Sequence, residues 1–134
     1  MRRSLAIAAA TALVLMAPAV VQAATAPPAV QKAFNGFIKK FLAAVKADDH
    51  VAVAGMTRLP FQGDASIATA EQFYKKVYQP DFTKKNRACI GKAKPVYDRD
   101  GEGTDSFFVF CGELIFVFGK TSSGFLFTDI SVND

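Results

Sequence analysis

Between Ser106 and Phe118 the chain reads SFFVFCGELIFVF, and no other stretch limits its fold so tightly. Five of the protein's 13 phenylalanines fall in it. At the two-residue period of a strand, FFVF and LIFVF place apolar side chains on both faces, whereas an antiparallel strand with one wet face alternates. One face is expected to cover a helical layer. The other then needs a partner, a ligand or a second layer, unless the sheet curls over it. The middle has two readings, a single long strand bent at Gly112 or two strands joined by a Cys-Gly turn.

The helical layer is readable upstream. Val30, Ala33, Phe34, Phe37, Ile38, Phe41, Leu42 and Val45 recur at the spacing of one buried helical stripe, with Lys32, Lys39, Lys40 and Lys46 on the other side. Asp48 or Asp49 is positioned to cap a second, short helix over His50–Gly55. Thr57–Phe61 reads as a short strand, placed at an edge because Pro60 has no N–H for a ladder. After a loop over Gln62–Ala68, Thr69-Ala70-Glu71-Gln72 fits a capping box. The helix it opens should run to about Tyr78, burying Phe73, Val77 and part of Tyr74. Pro80 should stop it, and Asp81 should cap one more turn that carries Phe82 inward.

From Cys89 onward the pattern turns to strands. Ile90–Tyr97 reads as a strand with Pro95 at an edge or bulge. Asp98–Thr104 reads as a turn, Gly119–Gly124 as another, and Phe125–Val132 as the last strand. The sequence shows neither an internal repeat nor a domain boundary.

The N-terminus has a different character. Arg2 and Arg3 precede an apolar run from Leu5 to Val21, broken at Pro18 and ending Val21-Gln22-Ala23. That is the layout of a signal peptide cleaved after Ala23, exported by the ordinary secretory route to the periplasm or beyond. Ala24–Pro28 is then a flexible leader and residues 29–134 a single domain with one core. Cleavage leaves no stable membrane anchor. It also removes two of the 16 cations, so that 14 face 12 anions and the bulk charge gives no case for nucleic acid. The remaining charge is segregated. Seven cations and two anions lie between Glu71 and Lys94, against two cations and seven anions from Asp98 to the end. Such asymmetry steers partners or orients a dimer, or simply marks solvated faces.

Cys89 and Cys111 are the only cysteines. In an exported chain they are expected to form a disulfide. Their midpoint, residue 100, falls inside the Asp98–Thr104 turn, so a hairpin of opposed strands would bring them together. The same register favours one strand over Ser106–Phe118 bent at Gly112, pairing back to Ile90–Tyr97 and forward to Phe125–Val132.

Other chemistries find little footing. Asp98, Asp100 and Gly103 superficially match a calcium loop, but the twelfth position is Val109, which cannot ligate. His50 is the only histidine and sits beside two aspartates at a helix start, a capping or surface position. No Cys-x-x-Cys, phosphate loop or metal spacing occurs. No catalytic residue, metal or cofactor is therefore expected.

The order of these elements resembles the nuclear-transport-factor-2-like, or cystatin-like cone, superfamily, and within it small exported bacterial proteins of unknown function. The residues that carry the resemblance are Phe34–Val45 followed by Ala47-Asp48-Asp49, then Leu59-Pro60-Phe61 and Glu71-Gln72-Phe73-Tyr74. Cys111-Gly112-Glu113-Leu114 and Phe116-Val117-Phe118 before Gly124–Ile130 complete it. The resemblance implies an α+β fold, with N-terminal helices packed on a curved antiparallel sheet, a pocket in the cone and a sheet face used for dimers. It also implies that isomerase- or lyase-like members exist beside members without chemistry. Tyr74, Tyr97 and Asp129 are the residues to place near such a pocket, with no catalytic pairing among them. The expectation is thus an exported binding or interaction module, more readily a non-enzyme than an enzyme. It holds a small apolar ligand or an envelope partner in the cone or on the sheet face. The alternatives are a structural homodimer formed through the sheet and a ketosteroid-isomerase-like isomerase or lyase.

Overall fold

The computed structural model describes residues 10–18 and 24–134. Most of the expected export segment, with its cleavage point after Ala23, lies outside the described residues. The remainder is an α+β fold of four helices on a four-stranded antiparallel sheet, ordered β1-β2-β3-β4. Among the described residues no helix is long and apolar enough to cross a membrane.

Helix α1 spans Pro28–Lys46 and buries Phe34, Phe41, Ala44 and Val45. Pro28 opens it, where a missing N–H costs nothing, and Ala26 of the preceding leader is already packed against the core. Helix α2, His50–Gly55, is capped by Asp49, whose carboxylate accepts from Ala52 N at 3.0 Å. The third helix, α3, begins as Ala70–Phe73 under the expected capping box: Thr69 Oγ1 accepts from Gln72 N, and Gln72 Oε1 accepts from Thr69 N, both at 3.2 Å. It does not stop before Pro80. A wider π-turn over Tyr74–Tyr78 leads into a last turn, Gln79–Asp81. Pro80 falls in the first turn of that final segment, which tolerates proline.

Two expectations about the middle of the chain are corrected. Thr57–Phe61 is not a strand. Only Thr57 forms a bridge, parallel to Phe127, and the chain then enters a 3₁₀ turn over Phe61–Gly63. Ile90–Tyr97 is not a strand either. Helix α4 occupies Lys84–Lys92, and Thr83 caps it by accepting from Asn86 N at 3.2 Å. Ile90 is its buried anchor. Strand β1 is confined to Val96–Arg99.

Ser106–Phe118 forms two strands, which corrects the bent-strand reading. Strand β2, Asp105–Cys111, and strand β3, Leu114–Thr121, are joined by Gly112-Glu113, with Cys111 opposite Leu114. Gly112 has φ +64°. A glycine at positive φ in the first position of a two-residue loop is the II′ pattern, whose twist matches the flanking strands. Strand β4, Gly124–Val132, closes the sheet, with a bulge where the pairing passes from Val117–Asp129 to Phe118–Phe127 and Thr128 is the extra residue. The β1–β2 turn is anchored by Asp100, whose Oδ1 accepts from Glu102 N at 3.0 Å and Thr104 N at 2.8 Å.

The disulfide Cys89–Cys111 is present, with Cα atoms 5.8 Å apart. The hairpin argument for it fails. Val96 pairs with Phe108, which centres the β1–β2 hairpin near residue 102 and leaves Cys89 on α4. The bond therefore staples a helix to the end of β2, rather than one strand to its neighbour.

The inner face of the sheet is covered by rings. Nine of the 13 phenylalanines expose less than 2 % of their surface. Phe127 is their hub, with ring centroids of Phe61 at 5.2 Å, Phe82 and Phe118 at 5.6 Å and Phe41 at 5.7 Å. Phe34 and Phe107 stack at 3.7 Å and tie α1 to β2.

Truncating the hub in Phe127→Ala should cost about 3–5 kcal/mol, read as a fall in the urea midpoint. Replacing both cysteines by serine should cost roughly 3 kcal/mol, because a closed loop of 22 residues no longer restricts the unfolded chain. A change below ~1 kcal/mol in chemical denaturation would show that α4 is held by packing alone.

Candidate functional site

With the interior filled by phenylalanine, the accessible features lie outside it. Strand periodicity decides what faces outward. Register places Val96, Phe108, Val117 and Asp129 in one row across the four strands, and Phe110, Ile115 and Ser131 in the next. The helices all lie on the other face, so this face is open. Phe110 is 45 % and Val96 43 % exposed, large fractions for apolar side chains. Phe108 and Ile115 are half-buried by their neighbours on the sheet, and Val117, in the middle of the row, is buried.

Carboxylates border this apolar floor. A depression of about 290 Å³ is floored by Phe108 and Val117 and flanked by Asp98, Asp100 and Asp129. Asp129 has a cationic neighbour, Arg58, at 3.8 Å, an exposed pair of small energetic weight. Gln62, held at φ +52°, donates from Nε2 to the Ile130 carbonyl at 2.8 Å and forms one wall. At the bulge, Thr128 lies against Gly119. A Cβ on Gly119 would approach Thr128 Cγ2 to 3.2 Å, so this tightly curved part of the face has little room for a larger side chain.

The three residues expected near a pocket are not brought together. Tyr97 points to the inner side at the edge of the sheet, 5.4 Å from Phe107 between ring centroids, and its hydroxyl donates to Asp105 Oδ1 at 2.6 Å. That bond holds its pKa above the ordinary tyrosine value. Asp129 lies on the open face. Tyr74 is on α3, stacked 4.1 Å from His50.

The neighbourhood of Tyr74 is a polar cluster that sequence reasoning missed. Asp48, in the turn after α1, has φ +53°, a backbone region that aspartate tolerates better than most residues. Its Oδ1 accepts from the Tyr78 hydroxyl at 2.6 Å and lies 3.5 Å from Arg87 Nη1. Arg87 also donates to the Phe82 carbonyl at 2.7 Å, and Gln79 Nε2 donates to the Tyr74 hydroxyl at 3.2 Å. Burial, and then the bond to Asp48, push the Tyr78 pKa well above its ordinary value. A tyrosine held protonated in this way is a donor and a tie, and a poor base. The cluster binds the α1–α2 turn to α3 and α4. Tyr74 and Tyr78 stand four apart, the spacing of one helical face, but nothing in the local sequence turns that face toward Asp48, 30 residues away.

Among the described residues no group of three or more His, Cys, Asp or Glu side chains is arranged to hold a metal ion. Compared with family models, with curated proteins and with solved structures, the chain finds no match.

The Tyr78 tie has a testable pH signature. The folded state resists deprotonation that the unfolded chain undergoes near pH 10. The unfolded state then binds fewer protons, so stability is intact below pH 10 and falls as the pH rises beyond it. Tyr78→Phe should be less stable than the parent at pH 8, and its urea midpoint should decline less steeply between pH 9.5 and 11. Parallel declines would show that the hydroxyl is equally free to ionise in both states.

Proposed function

We propose that this chain is an exported, soluble interaction module of the nuclear-transport-factor-2-like type, working through the open face of its sheet in the periplasm or outside the cell. The observation that carries the reading is the row Val96–Phe108–Val117–Asp129 with Phe110 and Ile115 beside it: an apolar surface presented by rigid strands and left uncovered by the protein's own helices. Apolar patches rimmed by polar groups are characteristic of interaction sites. Export is supported by the leader composition, and the disulfide suits an oxidising compartment. The long helix on a bulged antiparallel sheet is compatible with that family.

A ligand inside the cone fits this chain less well than a partner on its surface, because aromatic rings occupy the interior. An isomerase-like site would need a carboxylate in that interior, and Asp129 faces away from it. The chemistry of the face also selects among partners. A second copy related by a two-fold axis would set its own carboxylates against Asp98, Asp100 and Asp129, with repulsion at the rim of the contact. A partner presenting apolar side chains beside a lysine or arginine meets both the floor and the rim.

Photo-crosslinking in the exporting cell tests this. A photoreactive side chain at position 110 should yield a discrete crosslinked product, whereas the same group at position 39, on the outer side of α1, should not. Phe108→Arg should remove that product while leaving the thermal midpoint within a few degrees. Crosslinking solely to a second copy of the chain would favour the homodimer. Equal labelling from positions 110 and 39 would sink the sheet-face reading.

A further inference from the structure

Helices α1 and α4, which pack side by side, carry charge of one sign only. Each bears four cations and no aspartate or glutamate. On α1, Lys32, Lys39 and Lys46 stand seven apart, a spacing that sets them in one row along the exposed side, with about 10.5 Å between neighbours. On α4, Lys84, Lys85 and Lys92 are exposed, and Lys94 extends the series past the end of the helix. Lys46, Lys84 and Lys92 border one depression between the two helices, and Lys94 borders the next one along α1. The two series therefore run beside each other.

Among the described residues none of these seven lysines pairs with a carboxylate, and of the α4 cations only Arg87 does, toward Asp48. Like charges held in two neighbouring rows repel one another, and anions spread over the same area relieve that repulsion. The far side of the molecule has the opposite sign, for the open sheet face is bordered by Asp98, Asp100 and Asp129. A body polarised across its thickness turns in an external field, here with its helices toward negative charge.

Three features select the source of that negative charge. The cations cover an area, whereas a linear polyanion would track a single row. Around the lysines the exposed positions are small, Gly36, Ala43, Ala88 and Gly91, and a Cβ built on Gly36 or Gly91 meets nothing within 4 Å. A protein partner needs anchoring side chains at the centre of its interface, where lysine is depleted. Every cation but Arg87 is a lysine, a point charge without the fork by which arginine fits one particular phosphate or carboxylate. Such a face responds to charge density and not to shape. We propose that the α1–α4 face docks on an anionic lipid bilayer, its two rows of lysines held electrostatically against the head groups. The open sheet face is then turned away from the bilayer. The docking uses the helical layer alone, so it and the sheet-face reading stand or fall separately.

The test uses the disulfide-intact chain beginning at Ala24, which lacks the apolar leader and keeps the whole core, since among the described residues that core begins at Ala26. In flotation, phosphatidylglycerol vesicles should bind it at least tenfold better than phosphatidylcholine vesicles. Raising the salt from about 0.1 M to about 1 M, which shortens the Debye length from ~10 to ~3 Å, should abolish that advantage. Lys39→Glu with Lys46→Glu on α1, and Lys85→Glu with Lys92→Glu on α4, should each weaken binding at least tenfold. Lys76→Glu with Lys120→Glu makes the same change of charge at exposed positions elsewhere and should weaken it less than threefold. A relaxation agent carried on the lipid should broaden the Lys39, Ala43 and Lys92 amides of the unsubstituted chain and spare Val117 and Asp129, a readout that needs no variant. Equal binding to both lipids, indifference to salt, broadening centred on the open sheet face, or equal weakening by all three double variants would each overturn the proposal. Binding of heparin without binding of phosphatidylglycerol vesicles would overturn it in favour of a linear polyanion. Self-association lost in the α1 and α4 variants, again without vesicle binding, would overturn it in favour of a second copy docked through its acidic sheet face.

Discussion

Phe127 is the residue on which both layers depend. Its ring contacts aromatic side chains from α1, the 3₁₀ turn, α3, the segment between α3 and α4, and β3. Its backbone is equally committed. Its N–H donates to the Met56 carbonyl and its carbonyl accepts from Arg58 N, both at 2.9 Å, so the chain leaving α2 is fastened to β4 at the same residue. The β-bulge at Thr128 follows immediately, where an extra residue bends the strand and increases its twist. A sheet curved at that point can wrap its inner rings around Phe127. A flat one would leave them a gap, and close-packed interiors tolerate such voids poorly.

That packing has a consequence for function. With the inner surface of the curved sheet filled by phenylalanine, the accessible surfaces lie outside, and they differ in charge. Carboxylates border the open sheet face, and lysines and an arginine line the surface between α1 and α4. The near-balance of the total charge conceals this division, because each surface is strongly biased while the sum is small.

Much of this was legible in the residues. The stripe from Val30 to Val45, the Thr69 capping box, the Asp49 cap and the Asp100 turn each rest on local chemistry, and each forms as local chemistry dictates. So does the doubled apolar character of FFVF and LIFVF, which the sheet resolves into a packed face and an open one. What escaped was set by tertiary contact. Helix α4 has one buried apolar residue, Ile90, and a sequence rich in lysine that gives no stripe to read. Its signals were the Thr83 cap and the crosslink, and the second was misread as a strand pairing. The break at Gly112 turned on one backbone angle, where a bend and a II′ loop leave the same letters. The Asp48–Tyr78 tie depends on a π-turn, which rotates Tyr78 away from the position an α-helix would give it.

The disulfide links these observations to the helical layer. A nine-residue helix is marginal in water by itself, since nucleation is costly and few bonds follow it. Helix α4 keeps its place through three attachments: Ile90 in the core, Arg87 reaching the Phe82 carbonyl and Asp48, and the bond from Cys89 to the end of β2. Two of these are polar or covalent rather than hydrophobic, so the helix is fixed with little apolar surface of its own. Ile38 and Leu42 of α1, which border α4, are left half-exposed. The crosslink thus does more than stabilise a small domain. It fixes a lysine-rich helix with one buried apolar residue to the end of β2.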